Sequence, residues 1–250
     1  MKKKLLAVTL VVALIAILAV GNTLAYLTDK DEAKNVMELG RVQIQQNETD
    51  RNGAAFVQNQ NLFPFVDLRD AGEDFFVGGM FNDKIKNTID KFITVTNTGT
   101  RECYVRTILA FETVRSYEEG SSTVYTDLHD HFFLVVFGSD ATYYVQYLDE
   151  YITINGTEYV LAVCTYEAPL APGATTGPSL KQFALTNEAG NEICDTWFGT
   201  QYDILALSQA VQVAGFESVG AEYALNTAFG AVTEANAQAW FAEFAVIPNP

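Results

Sequence analysis

The chain is short of the residues on which most catalytic and cofactor chemistry depends. It holds two histidines, three cysteines and fifteen lysines and arginines, the last against thirty-one aspartates and glutamates. At a formal net charge of −16, such a surface repels phosphate backbones and anionic headgroups, which argues against nucleic-acid and membrane-surface binding. Cys103, Cys164 and Cys194 cannot all pair with one another, so at most one internal disulfide forms, and the spacing neither selects a pair nor requires one. There is no C-x-x-C pair, no G-x-S-x-G elbow, no glycine-rich phosphate loop and no H-E-x-x-H. Asp50-Arg51-Asn52-Gly53 lacks the later glutamate of a calcium loop. Long apolar runs are equally scarce, and the run from Leu5 to Val20 is shorter than the roughly 20 residues of a membrane-spanning helix.

That one run carries information. Lys2, Lys3 and Lys4 precede it, Gly21-Asn22-Thr23 break it, and Thr23 and Ala25 stand at the −3 and −1 positions of a cut between Ala25 and Tyr26. This is the order of a cleavable secretory signal, which predicts residues 1–25 as a signal peptide read by a signal peptidase, and a secreted product. The membrane is then met only through the uncleaved signal. Removing the three lysines takes no acid away, so the charge of residues 26–250 falls to −19. A hydrophobic content of 49%, with 17 Phe and 12 Tyr, points to a packed core in spite of that charge. Pro248-Asn249-Pro250 carries no sorting motif or basic tail, so attachment to lipid or cell wall is not expected.

Along the rest of the chain period two dominates, the mark of strands. Val36–Gln45 alternates with Val42 and Ile44 on one face, and the polar stretch from Asn47 to Gln60 reads as loop. Lys86–Thr96 and Glu102–Val114 flank Asn97-Thr98-Gly99-Thr100 and predict a hairpin. In the second of them Tyr104, Arg106, Ile108 and Ala110 oppose Val105, Thr107, Leu109 and Phe111. Further strands are predicted at His131–Phe137, Thr142–Leu148, Tyr151–Ile154, Glu158–Tyr166, Leu180–Leu185 and Asp203–Val213, with Asn155-Gly156 as a two-residue hairpin turn. Near the end the period changes. Ala221, Leu225, Ala228 and Phe229 repeat at helical spacing up to Gly230, and Thr233 caps a second stripe of Ala237, Trp240, Phe241 and Phe244. The fold class expected is mainly β: one jelly-roll-like antiparallel β-sandwich over residues 26–250, with a small helical segment at about 217–244.

Three stretches together resemble a known group. They are Thr23-Leu24-Ala25-Tyr26-Leu27-Thr28-Asp29 behind the basic and apolar leader; Lys91 to Thr100 running into Tyr104-Val105-Arg106; and Pro169-Leu170-Ala171-Pro172-Gly173 with Ala210 to Phe216. This pattern is similar to the SipW-type signal peptide proteins, the exported Gram-positive group that includes TasA and camelysin. The resemblance implies a secreted jelly-roll subunit of biofilm-matrix or surface fibres, partnered with copies of itself or with related fibre subunits. It also implies assembly by donation of the freed N-terminal segment, here Tyr26, Leu27, Thr28, Asp29, Lys30 and Asp31, as an added strand. A sheet edge with unpaired N–H and C=O groups is the physical counterpart such a segment needs.

The two histidines give the competing reading. In Asp127-Leu128-His129-Asp130-His131, residues two apart share a face of a strand, so Asp127, His129 and His131 form a possible metal set. Camelysin-like relatives are classed as metallopeptidases, which makes zinc the implied ion. No residue is assigned a catalytic role. A third reading is a cell-surface binding module or adhesin using the aromatic-rich sandwich.

Overall fold

The structure, a computed structural model, describes residues 28–30, 41–58, 60, 62–113, 117–119, 122–125, 129, 133–138, 143–187 and 202–244. The described residues open with β1 (Thr28–Lys30) and β2 (Ile44–Thr49), then an excursion of short strands, β3 (Val66–Asp67), β4 (Phe76–Val77), β5 (Met80–Phe81) and β6 (Ile85–Lys86). The long strands follow: β7 (Thr88–Asn97) and β8 (Cys103–Thr113). After β9 (Tyr117–Glu119) and β10 (Ser122–Tyr125) come β11 (Phe133–Phe137), β12 (Tyr143–Ile154), β13 (Thr157–Leu170), β14 (Leu180–Leu185) and β15 (Ile204–Gln212). Two helices close the described chain, α1 (Ala221–Phe229) and α2 (Glu234–Phe244).

The fold is mainly β and antiparallel, as the strand periodicity predicts. A five-stranded sheet, ordered β1-β15-β8-β13-β12, and a four-stranded sheet, ordered β11-β14-β7-β2, hold the core between them. Ile93 and Leu180 of the smaller sheet meet Leu109, Phe111, Val160 and Ala162 of the larger. Val42, Ile44 and Val95 meet Val105, Cys164 and Ala210. The outer face of the larger sheet carries the helices. Ala237, Trp240 and Phe241 of α2 cover Ile108, Ile152, Leu161 and Leu207, and Ala221, Ala224 and Leu225 of α1 cover Tyr104, Val211 and Val213. The larger sheet is thus apolar on both sides. This is why β8 is buried along almost its whole length, as expected where both faces of a sheet are covered. Each fully buried Leu, Ile or Phe contributes roughly 1.5–3 kcal/mol, and Phe111, Phe241, Ile108 and Leu109 are among those with almost no exposure.

Local signals hold where they depend on backbone conformation. Asn155 (φ 52°) and Gly156 (φ 90°) make the tight turn between β12 and β13, both in the left-handed region that such hairpins require. The helical stripe stops at Gly230, whose N–H bonds the Asn226 carbonyl. The Thr233 hydroxyl accepts the Asn236 N–H at the start of α2.

Three expectations are corrected. First, β7 and β8 do not form a hairpin: they lie in different sheets. The turn between them is pinned out of plane because the buried Asn97 side chain donates to the carbonyls of Arg101 and Leu170, and its Oδ1 accepts the Gly99 N–H. Second, Asn47–Thr49 is strand and not loop. Its polar side chains find partners in the ladder: Asn47 bonds the Thr94 and Thr96 hydroxyls, and Glu48 pairs with the buried Lys91. Third, the segments predicted at 142–148 and 151–154 are one strand, with a register irregularity between Leu148 and Tyr151. The excursion that carries β3 to β6 is fastened to the smaller sheet by polar contacts. Arg51 makes a bidentate pair with Asp90, Asp90 accepts from the Gln182 side-chain amide, and Gln182 Oε1 accepts the Phe81 N–H.

Candidate assembly edge

The segment expected to be donated meets the sheet at its edge. Thr28, Asp29 and Lys30 of β1 stand opposite Val211, Ala210 and Gln209 of β15, antiparallel. On its other side β15 is fully paired with β8, from Ile204 opposite Phe111 to Gln212 opposite Cys103. Along an antiparallel strand the N–H and C=O groups point alternately to one neighbour and the other. Asp203 exchanges both of its backbone groups with Glu112, its carbonyl accepting the Glu112 N–H and its N–H donating to the Glu112 carboxylate, so odd positions face β8. The outward positions are therefore Ile204, Ala206, Ser208, Ala210 and Gln212.

Two devices cover that edge. At Ala210 the cover is β1. At Ala206 it is a side chain from the other sheet: Gln46 Nε2 donates to the Ala206 carbonyl at 3.4 Å, and Gln46 Oε1 accepts the Ser208 hydroxyl at 2.7 Å. Thr107 shares a hydrogen bond with the same Ser208 hydroxyl at 3.1 Å, which makes a buried polar spot on the inner face of an otherwise apolar strand.

On the opposite face of β15 lies a buried guanidinium. Arg106 of β8 is only 2% exposed. Its Nε donates to Gln209 Oε1 at 2.8 Å, one terminal nitrogen to Asn226 Oδ1 at 2.8 Å, and the other to the Gly230 carbonyl at 2.9 Å. It lies 5.2 Å from the centre of the Trp240 ring. Burial lowers its pKa to about 10, opposed by the negative charge of Glu222, so it remains cationic at neutral pH. Helix α1 has no basic residue in its last turn, and Arg106 brings the positive charge to that end from a strand. Gln209 is fully buried, and its Nε2 has no hydrogen-bond partner.

Of the proposed metal set, only His129 lies within the described residues; Asp127 and His131 fall outside them. His129 is buried in an aromatic stack, its ring 4.5 Å from Phe111 and 5.7 Å from Phe133, with Nδ1 2.6 Å from the Tyr202 hydroxyl. Its backbone N–H donates to Thr113 Oγ1. Burial pushes the imidazole pKa down to about 3, so the ring is neutral. Among the described residues no three His, Cys, Asp or Glu side chains gather as a metal would need. Nearby, Glu112 is raised to about 7, by burial first and then by the Asp203 charge, against the pull of the Asp203 N–H. Cys103 and Cys164 are free and buried, and burial raises both thiols to about 12, which leaves them unreactive at neutral pH. Cys194, Ala25, Tyr26, Leu27 and Asp31 lie outside the described residues.

The residues that line the edge, Gln46, Ser208 and Gln209, were not singled out by sequence reasoning. The available signal was compositional: Ser208-Gln209 interrupts an apolar strand, and a buried polar pair in such a run requires partners. No family model, curated protein or solved structure matches the chain.

Proposed function

We propose that this protein is a secreted structural subunit of extracellular matrix or surface fibres, assembling by donation of its N-terminal segment after the signal peptide is cut. The observation that carries this reading is the pairing of Thr28–Lys30 with Gln209–Val211 at the edge of the five-stranded sheet. Strand addition to a sheet edge draws on main-chain hydrogen bonds that any extended segment supplies, so the same edge serves the chain's own segment or that of a second copy. Before cleavage the segment is tethered next to the membrane anchor, and cutting before Tyr26 releases it. The acidity of the chain suits solubility outside the cell until assembly begins.

The test is assembly of the purified chain beginning at Tyr26, beside one beginning at Lys34, followed by light scattering and electron microscopy. Filaments from the longer chain alone support donation. If both chains stay monomeric across pH and calcium, or both assemble, the N-terminal segment is not the donor.

A further inference from the structure

The strand now on β15 fits it poorly in one respect. Gln209 is fully buried and its Oε1 is committed to Arg106 Nε, which fixes the orientation of the amide: reversed, it would set N–H against N–H. Its Nε2 is left without an acceptor. Arg106, on the β8 side, has only donors to offer. The remaining cross-strand neighbour is the residue opposite Gln209 on the open edge, which shares its face at a Cβ separation of about 4.5–5.5 Å. In the structure that residue is Lys30, whose side chain also carries only donors. Asp29, similarly, stands opposite Ala210, a position packed in the core between the sheets.

We propose that a second copy's segment pairs with β15 two residues out of step with the register seen here, so that Thr28, and not Lys30, stands opposite Gln209. A slip of two preserves the faces of the strand, whereas a slip of one would exchange them. It gives Gln209 Nε2 a hydroxyl acceptor. It sets Leu27 opposite Ala210 and Tyr26 opposite Val211, both buried apolar positions. It moves Asp29 to the register of Ser208, beside the Gln46 and Thr107 polar groups. The donated ladder then ends where Gln46 already holds the Ala206 carbonyl. The chain's own strand is a placeholder in the less favourable register, which the incoming strand displaces. The inference rests on the donation reading above.

Position 211 does not face outward in the ladder, so it forms the closely spaced, non-hydrogen-bonded pairs that suit a cross-strand disulfide. Two variants in a Cys194→Ser background are oxidised before and after assembly: Val211→Cys with Tyr26→Cys, and Val211→Cys with Thr28→Cys. In the monomer the Thr28→Cys pair closes within one chain, which also verifies that Val211→Cys folds. In filaments the Tyr26→Cys pair gives a ladder of linked chains and the Thr28→Cys pair does not. A ladder from the Thr28→Cys pair alone overturns the shift while donation stands. Absence of both filaments and linked chains overturns donation and the shift together. As a second arm, Lys30→Gln gives the present register its own acceptor opposite Gln209 and slows filament appearance by about tenfold, the equivalent of one satisfied hydrogen bond. An unchanged rate also overturns the shift.

Discussion

The guanidinium of Arg106, in the middle of a strand, donates to the carbonyl of Gly230, the residue that ends α1. One side chain thereby fastens the helical layer to the sheet. It also holds Asn226 in the last turn of α1 and Gln209 on the neighbouring strand.

Arg106→Met should therefore destabilise the fold by about 3–5 kcal/mol, because it leaves several buried acceptors without donors. Asn226→Ala should cost less, about 1–2 kcal/mol, since it removes one bond at the margin of the same network. Urea unfolding followed by Trp240 fluorescence measures both, because the Arg106 charge lies against that ring. Equal losses for the two variants would show that Arg106 is not the hub.

Gly99 is required for space and not for an unusual φ. A Cβ there would lie 2.3 Å from the Arg41 carbonyl and 2.7 Å from the Gln43 N, both backbone atoms that have nowhere to go. The Gly99 N–H also bonds the Gln43 carbonyl. Gly99→Ala should cost about 3 kcal/mol by overpacking, and hydrogen exchange should show faster opening at β2 than at β13. A loss below about 1 kcal/mol, typical of an exposed loop, would contradict this account.

Two groups tie stability to pH with opposite signs. Glu112 has a folded pKa of about 7 against an ordinary 4.5, so its contribution is full below 4.5 and is lost as pH rises through 7. Its titration is influenced by Asp203, and both acids act on Tyr159. His129, at about 3 against 6.5, contributes fully above 6.5 and loses that contribution as pH falls through 3. Its neighbours include Phe111, Phe133 and the hydroxyls of Tyr202 and Thr113. Between 4.5 and 6.5 the two slopes oppose each other, each at most about 1.4 kcal/mol per pH unit and less for the half-buried Glu112. Glu112→Gln should remove the falling component, so that stability rises more steeply with pH across this window than in the parent chain. Identical slopes in urea titrations at pH 5 and 6 would show that Glu112 is not held protonated.

What the sequence determined alone is local. Alternation sorted Tyr104, Arg106, Ile108 and Ala110 from Val105, Thr107, Leu109 and Phe111, and those are the two faces of β8, because a strand's side-chain period is fixed by backbone geometry. Asn155-Gly156 and Gly230 were legible for the same reason: positive φ is a property of the residue before it is a property of the fold. The tertiary structure decided which strands are neighbours. The turn at Asn97–Thr100 looked like a hairpin because turn residues do not record whether the next strand stays in the plane. The carbonyl of Leu170, distant in the chain, sends it to the other sheet. Polar residues were misread for a related reason. Asn47 and Glu48 read as loop until Thr96 and Lys91 come within hydrogen-bonding reach, and burial is tolerable for such groups only with those partners in place. The edge of β15 belongs to this second class. Its sequence shows a polar interruption in an apolar strand, and only the pairing on both sides of it shows which amide is satisfied and which is not.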